Sequence, residues 1–419
     1  MKYNIKNINL ASEGMKKINW TGKGMPVLAG IAKDFKKRKL FKKITIGACL
    51  HVTAETANLM IALKESGANV VLCASNPLST SDDVAAALVK YFKIPVFAIK
   101  GESNKEYLLH INAVLNAKPD ITMDDGADLV SMLHKSRGSQ IRKVKGGTEE
   151  TTTGVTRLKS MAKEKKLLFP IIAVNNSTTK YLFDNRYGTG QSTLDGIIRA
   201  TDKLIAGSVF VVAGYGWCGK GLAMRARGMG ANIIITEVDA VKALEALMDG
   251  FRVMPMTKAA SEADFICTVT GNTSVVNTET FRTIKNGCIV SNSGHFDVEI
   301  DLPALQKITK TKKILRDFVE MYKLKNGKTI YVLAGGRLVN LSCAKGHPAE
   351  VMDMSFANQA LAAEFILKNY KTLSNGVHTL PLYLDQKIAI LKLKSLGMKI
   401  DTLTSQQKKY MNEWRDGTK

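Results

Sequence analysis

Short apolar runs alternate with amphipathic stretches along residues 43–175. Residues 44–50, 69–74, 95–99 and 121–123 carry apolar side chains with little polar interruption, which predicts buried strands. Between them, residues 54–65, 82–91, 105–115 and 127–134 repeat apolar positions every three to four residues, which predicts helices with one face on a core. A further strand is expected at 171–174. This alternation implies a parallel sheet covered by helices. Polar residues gather just after the strands, at His51, Asn76, Asp124, Asp125, Asn175 and Asn176, where open α/β sheets place their ligands. A second α/β pattern runs from about 192 to 341, with strands expected at 209–213, 232–236, 265–270, 288–292 and 329–333. Beyond it, residues 349–370 read as a long helix docked on a neighbouring domain, and 384–417 as a helix-rich, lysine-rich arm against another subunit.

Composition adds mainly exclusions. The 419 residues are 45% hydrophobic and 23% charged, the balance of an ordinary soluble protein. No apolar run reaches membrane-spanning length, and Met1-Lys-Tyr-Asn-Ile-Lys lacks a signal-peptide core, so a cytoplasmic protein without membrane contact is expected. Six scattered cysteines without C-x-x-C spacing suggest neither a zinc site nor a disulfide framework, and no metal is expected. The formal charge of +23 collects in lysine clusters at 33–43, 307–313 and 323–328. They lie between or at the ends of the expected elements. Without an interleaved aromatic platform they read as solvated surface, so no obligatory nucleic-acid partner is expected.

The densest chemical signal follows the strand at 209–213: Gly214-Tyr-Gly216-Trp217-Cys218-Gly219-Lys220-Gly221, then a helix, a second strand and Glu237. The first glycine permits a tight turn, the second lets the backbone approach a pyrophosphate, and the third lets helix pack on strand. The helix N-terminus faces phosphate charge. A carboxylate closing the second strand accepts from a ribose hydroxyl and repels a 2′-phosphate, so the motif favours NAD over NADP.

Five segments carry more polar chemistry than a scaffold needs: His51-Val-Thr53-Ala-Glu55-Thr56, Asp124-Asp125-Gly126, Glu149-Glu150-Thr151-Thr152-Thr153-Gly154, Lys180-Tyr-Leu-Phe-Asp184-Asn185 and Ser293-Gly294-His295-Phe296-Asp297. Taken alone, each has a plain structural explanation as a turn, a cap or a surface pair. Together with Asn76-Pro-Leu-Ser-Thr-Ser-Asp-Asp-Val-Ala-Ala-Ala, Phe183-Asp-Asn-Arg-Tyr-Gly, Gly294-His-Phe-Asp-Val-Glu-Ile and Gly336-Arg-Leu-Val-Asn-Leu, they resemble the S-adenosylhomocysteine hydrolases (adenosylhomocysteinases) over nearly the whole chain. The resemblance implies two doubly wound, Rossmann-like parallel-sheet domains and a helical arm. The substrate-binding domain would be 1–185 and 346–383, the NAD-binding domain 186–345 and the oligomerisation arm 384–419. It further implies a homotetramer, one tightly bound NAD per subunit, and S-adenosylhomocysteine, adenosine and homocysteine as reactants. The family reaction passes through transient oxidation of the ribose 3′-hydroxyl, loss of the C4′ proton, elimination of homocysteine and addition of water.

Carried over by position, the catalytic group would be His51, Asp125, Glu150, Lys180, Asp184 and Asn185. Lys180 and Asp184 would meet the ribose hydroxyls, with Lys180 helping to take the 3′-OH proton, provided that a desolvated site lowers its pKa. Glu150 would accept from a ribose hydroxyl, and His51 and Asp125 would move protons near C4′ and the sulfur. Thr53, Glu55 and Thr56 would address the adenine; His295 and Phe296, with Gly294, would gate the substrate channel, and His347 would contact adenosine or cofactor. The cofactor would meet Thr151, Thr152, Thr153, Asn185, Gly214, Gly216, Trp217, Cys218, Gly219, Lys220, Gly221, Glu237, Lys242, Thr270, Ser293, Gly294, His295, Asn340 and His347. Thr189 stands where many members carry cysteine, which excludes a thiol role there, and Lys242 where many carry asparagine. The ending Glu413-Trp-Arg-Asp-Gly-Thr-Lys lacks the longer tail that in relatives reaches a neighbour's NAD. Three rivals remain: a relative acting on S-inosylhomocysteine, which the acceptor Glu55 opposes; an ordinary NAD-dependent dehydrogenase; and a non-catalytic regulator or RNA-binding protein.

Overall fold

A computed structural model of the chain describes residues 2–414; the reading of a short tail falls largely on 415–419, outside the described residues. In chain order the strands are β1 (Asn4–Ile5), β2 (Thr45–Cys49), β3 (Asn69–Cys73), β4 (Val96–Ala98), β5 (Ile121–Asp124), β6 (Gly146–Glu149) and β7 (Pro170–Ala173), then β8 (Val209–Ala213), β9 (Asn232–Thr236), β10 (Arg252–Val253), β11 (Phe265–Thr268), β12 (Ile289–Asn292), β13 (Thr309–Arg316), β14 (Val319–Leu324), β15 (Thr329–Leu333) and β16 (Gly376–His378). Among the described residues they form two eight-stranded sheets, ordered β1-β4-β3-β2-β5-β6-β7-β16 and β10-β9-β8-β11-β12-β15-β14-β13.

Every pairing of the first sheet is parallel. Its central strands are buried along almost their whole length because helices cover both faces, which explains their unbroken apolar runs. The chain runs outward from β2 to β4 and then returns to β5 on the other side of β2, so the strand order reverses between β2 and β5. In the second sheet it reverses between β8 and β11. These are the places where carboxyl ends of strands leave a crevice for ligands. The Ala349–Asn369 helix lies against the elements around Lys180, and β16 then joins the edge of the first sheet beside β7.

Several elements depart from the sequence reading. The helices Ala11–Lys23 and Pro26–Arg38 were not expected, because glycines and lysines dilute their apolar faces and they lie ahead of the alternating pattern. The antiparallel pair β13–β14 is a second omission: β13 is exposed over most of its length and rich in lysine, so it carries no apolar signal. Consequently the cluster at 307–313 lies largely on an edge strand rather than between elements, where lysines discourage pairing with another chain. The expected arm consists of two helices, Leu382–Ser395 and Ser405–Asn412. Lys180 and Asp184 were expected on an ordinary helix, but Tyr181–Gly188 is a π-helix, a widened form that recurs at functional sites.

Candidate active site

The carboxyl ends of β2, β5, β6, β8, β9, β11 and β12 meet around one cavity of about 1660 Å³. It has room for a dinucleotide and a nucleoside together, since a pocket for one small ligand is typically about 300–1000 Å³. Apart from three, all the residues proposed from the sequence line it. Gly219 and Gly221 do not; they serve close packing, because a Cβ at Gly219 would run into the Gly214 carbonyl and one at Gly221 into the Arg186 carbonyl. Phe296 is the third exception. It stands edge-on to His295 with ring centroids 4.6 Å apart and carries the Arg157 guanidinium on its ring, so it backs His295 rather than facing the cavity.

On the dinucleotide side, Gly214 sits at a φ of +102°, the left-handed conformation that glycine tolerates, and its N–H donates to the Thr236 carbonyl at 2.8 Å. A Cβ on Gly216 would project into open space with no protein atom within 4 Å, so the backbone is bare where a pyrophosphate would lie. The Trp217–Gly228 helix starts there and aims its free N–H groups at the cavity. Glu237 ends β9 as read, accepting from the Tyr215 N–H at 2.6 Å and the Val238 N–H at 2.9 Å. Lys220 pairs with Glu245 and lies over the Trp217 ring, while Lys242 pairs with Asp239 at 3.4 Å. Asn340 donates to Ser192 and meets His347 Nε2, each at 3.3 Å, yet its Oδ1 is buried without a partner. A buried acceptor of this kind fits the amino group of a carboxamide. The bare glycine, the helix terminus and the orphaned acceptor together fit NAD.

Thr189 carries no thiol, but Cys218 supplies one beside it: the two side chains are 3.5 Å apart, and burial raises the Cys218 pKa. Glu299, quoted only within the Gly294–Ile300 motif, was assigned no role. Its buried carboxylate accepts from Thr270 N, Thr270 Oγ1 and Gly271 N at 2.7–3.0 Å and packs against Gly294, tying the loop after β11 to the loop after β12.

The opposite wall holds the titratable groups. At the ends of β5 and β6 successive side chains point to opposite sides. Asp124 and Glu149 turn inward to backbone N–H groups of Asp125, Val130, Gly126 and Thr151, whereas Asp125 and Glu150 face the cavity. Burial pushes the Asp124 carboxyl up to about 7 and Glu149 well above the usual range. Asp125 stands between two imidazoles, 3.3 Å from His51 Nε2 and 3.7 Å from His295 Nδ1. Burial lowers the His51 pKa to about 4 against the pull of Asp125, and lowers that of His295 as well, so both rings are neutral near pH 7. Ser79 and Ser75 hold His51 Nδ1 from behind at 2.7 and 3.0 Å.

Lys180 lies 3.3 Å from Asp184, 3.5 Å from Glu150 and 2.8 Å from Asn185 Oδ1, fully enclosed. Burial works to lower its pKa, but Asp184, Glu150 and Asp125 outweigh it and the pKa is raised, contrary to the expectation of a lowered value. Asp184 is depressed despite burial by Lys180 and by His347, whose Nδ1 is 2.9 Å away. Burial drives Glu150 up to about 8 against Lys180. Near neutral pH the cluster is therefore an ammonium–carboxylate pair beside a protonated carboxyl. On the far side Thr53 caps the Ala54–Glu65 helix through the Thr56 N–H, and burial raises the Glu55 carboxyl in that helix's first turn. Asn175, noted only as a polar residue after a strand, bridges Thr152 and Asn185 at 3.1 and 3.2 Å.

A dinucleotide turn on one sheet and a buried proton-handling cluster on the other, sharing one cavity, define an NAD-dependent enzyme. Residues 185–346 match the family model of the NAD-binding domain of S-adenosyl-L-homocysteine hydrolase, and residues 2–145 match the model of S-adenosyl-L-homocysteine hydrolase itself. The chain is 60% identical over 418 residues to the adenosylhomocysteinase of Aquifex aeolicus, covering 100% of both chains. It is 56% identical to the adenosylhomocysteinase of Thermosynechococcus vestitus, covering 100% of this chain and 97% of that one. It is also 54% identical to the S-inosyl-L-homocysteine hydrolase of Methanocaldococcus jannaschii, covering 99% and 100%. The chain belongs to the S-adenosyl-L-homocysteine hydrolase family, and its cofactor is NAD.

Proposed function

We propose that this chain catalyses the reversible hydrolysis of S-adenosyl-L-homocysteine to adenosine and L-homocysteine. The observation that carries the reading is the Lys180–Asp184–Glu150 cluster, buried at the junction of the two sheets within reach of the dinucleotide turn. NAD held on that turn supplies a reversible hydride acceptor for the ribose 3′ carbon, which activates the C4′ hydrogen for elimination of the thioether. Gly214, Gly216 and Glu237 would hold its adenosine half, and Thr151, Thr152, Thr153 and Asn340 its nicotinamide half.

The protein's own groups then divide the proton traffic. Lys180, kept cationic by Asp184, donates to a ribose hydroxyl oxygen and fixes the sugar. Glu150, whose carboxyl titrates at about 8, exchanges the 3′-hydroxyl proton with that pair. Asp125, between the two neutral rings of His51 and His295, takes the C4′ proton, and His51, 3.3 Å from Asp125, relays that proton to the departing sulfur so that homocysteine leaves as the thiol. The His295 loop packs against Gly126 and excludes water from the carbon being deprotonated.

Glu55 would accept from the 6-amino group of adenine. Burial raises the Glu55 carboxyl above its ordinary value; the inosyl reading would need that carboxyl to donate to a 6-oxo group instead of accepting. The division into 1–185 with 346–383, 186–345 and an arm at 384–419 is supported by the strand membership of the two sheets. A homotetramer is supported by the exposed apolar side chains of Val241, Leu244, Leu247 and Met248 beside the cavity mouth, and of Ile390, Leu396 and Ile400 in the arm. For a cytoplasmic location the support is that all six cysteines are free and that, among the described residues, no helix is long and apolar enough to cross a membrane.

The test is to incubate the NAD-loaded protein with adenosine in deuterated water. Deuterium entering at C4′, and absent with Lys180→Met, is the expected result; unlabelled adenosine from the wild type would sink the proposal.

A further inference from the structure

The Ala349–Asn369 helix carries polar side chains where a core helix ordinarily carries apolar ones: Ser355, Asn358 and Gln359 are all 0% exposed. Residues three and four apart share a helix face, so the three form one stripe. Buried polar groups are costly unless paired, and each of these donates to a partner in the same place, although Asn358 Oδ1 and Gln359 Oε1 are buried without one. Ser355 Oγ donates to Asp184 Oδ2 at 2.7 Å, Asn358 Nδ2 to Thr179 Oγ1 at 2.8 Å, and Gln359 Nε2 to Glu150 Oε2 at 2.6 Å. The helix therefore takes one oxygen of each carboxylate that flanks Lys180. The other oxygens are left for the site: Asp184 Oδ1 goes to His347, and Glu150 Oε1 is buried with no hydrogen bond, 3.5 Å from the Lys180 ammonium.

We propose that Gln359, with Ser355 as its counterpart on Asp184, is a positioning residue for the reaction: by engaging Glu150 Oε2 from behind, it aims the unpartnered Oε1 at Lys180 and the ribose. The proposal rests on the reading of Glu150 as a proton-exchanging group. An amide N–H on a carboxylate favours its ionised form. Removing it turns the carboxyl free of its anchor and shifts its titration to higher pH, which lowers the fraction able to accept a proton at neutral pH.

The experiment uses the full NAD-loaded chain with Gln359→Met, which keeps volume and removes the N–H, and Gln359→Asn, which keeps the amide on a shorter stem. Two readouts are taken. The first is the pH profile of kcat and KM for S-adenosylhomocysteine. The second is the infrared band of the protonated Glu150 carboxyl against pH, assigned by its loss in Glu150→Gln. In Gln359→Met the expected changes are a kcat lower by about 10- to 100-fold, a KM nearly unchanged, and both the kinetic limb and the infrared midpoint moved up by about one pH unit. Gln359→Asn should recover part of each. An unmoved infrared midpoint in Gln359→Met would overturn the proposal, whatever happened to activity. A midpoint that moves in a chain showing no thiol release would leave the positioning in place and refute the hydrolytic reading. If Gln359→Met does not fold, Ser355→Ala takes its place, with kcat lowered and NAD content retained; a wild-type kcat there would overturn the shared role of the stripe.

Discussion

Replacing Glu150 by glutamine should make the protein more stable at alkaline pH while removing its activity. The carboxyl is fully enclosed, one oxygen takes the Gln359 N–H, and burial drives its pKa from 4.5 up to about 8. Because the folded value lies above the unfolded one, the group's contribution is complete below about pH 4.5 and is lost progressively as pH rises towards 8. Over that window the unfolded chain ionises the glutamate and the folded chain does not. At about 1.36 kcal/mol per pH unit, the interval from 4.5 to about 8 corresponds to at most about 5 kcal/mol. Glutamine has nearly the same shape, accepts the same Gln359 bond and has no proton to lose. The difference in thermal midpoint between Glu150→Gln and wild type, followed from pH 4.5 to pH 8.5 by calorimetry, should therefore grow in favour of the variant and level off near pH 8. Thiol release by the variant should fall by about 10²-fold or more. Parallel midpoint curves across that range would show that Glu150 ionises alike in both states, and the description of the buried cluster would be wrong.

Other positions separate ligand binding from folding. Gly216→Val puts a side chain into open cavity space, so NAD affinity should fall at least about tenfold while the NAD-free midpoint stays put; equilibrium dialysis and calorimetry check the two halves. Asp353 is fully buried, accepts from the Val27 and Leu28 N–H groups at 3.2 and 2.8 Å and pairs with Lys392 at 2.8 Å. Asp353→Ala leaves that lysine partnerless and should lower stability by about 3–5 kcal/mol, read as an earlier unfolding midpoint with wild-type kcat per folded molecule. Glu55→Gln can both donate and accept, so the ratio of kcat/KM for inosyl over adenosyl substrate should rise by about tenfold; competition assays with both substrates would show an unchanged ratio if the base lies elsewhere.

How much of this was legible depends on the kind of signal. Ten of the sixteen described strands were readable because a strand covered on both faces is apolar along most of its length, and the glycine turn because each glycine answers a separate steric demand; β6, Gly146-Gly-Thr-Glu149, is buried yet carries no apolar side chain, and β1, β10 and β16 are only two or three residues long. The exposed strand β13 buries almost nothing and so left no pattern. Local sequence named the residues that face the cavity but could not rank their protonation. Whether Lys180 is held charged depends on Asp184, Glu150 and Asp125, and two of these come from other strands of the sheet. The roles of Glu299 and Gln359 were invisible for a related reason: one lies on a loop after β12 and the other on a helix about two hundred residues from its partner, and only the fold brings them to the site. In Asp124-Asp125 and Glu149-Glu150, by contrast, a doubled acid at a strand end was a usable clue, since one of each pair had to face outward.

The most direct test of the function follows thiol release and nicotinamide absorbance together, in purified NAD-loaded protein given S-adenosylhomocysteine and, separately, S-inosylhomocysteine. Homocysteine released over many turnovers from the adenosyl substrate, with no accumulation of reduced nicotinamide, is the expected result. Reduced nicotinamide formed in step with product and without thiol would contradict it and make the protein an ordinary dehydrogenase; thiol from the inosyl substrate alone would overturn the assignment of Glu55.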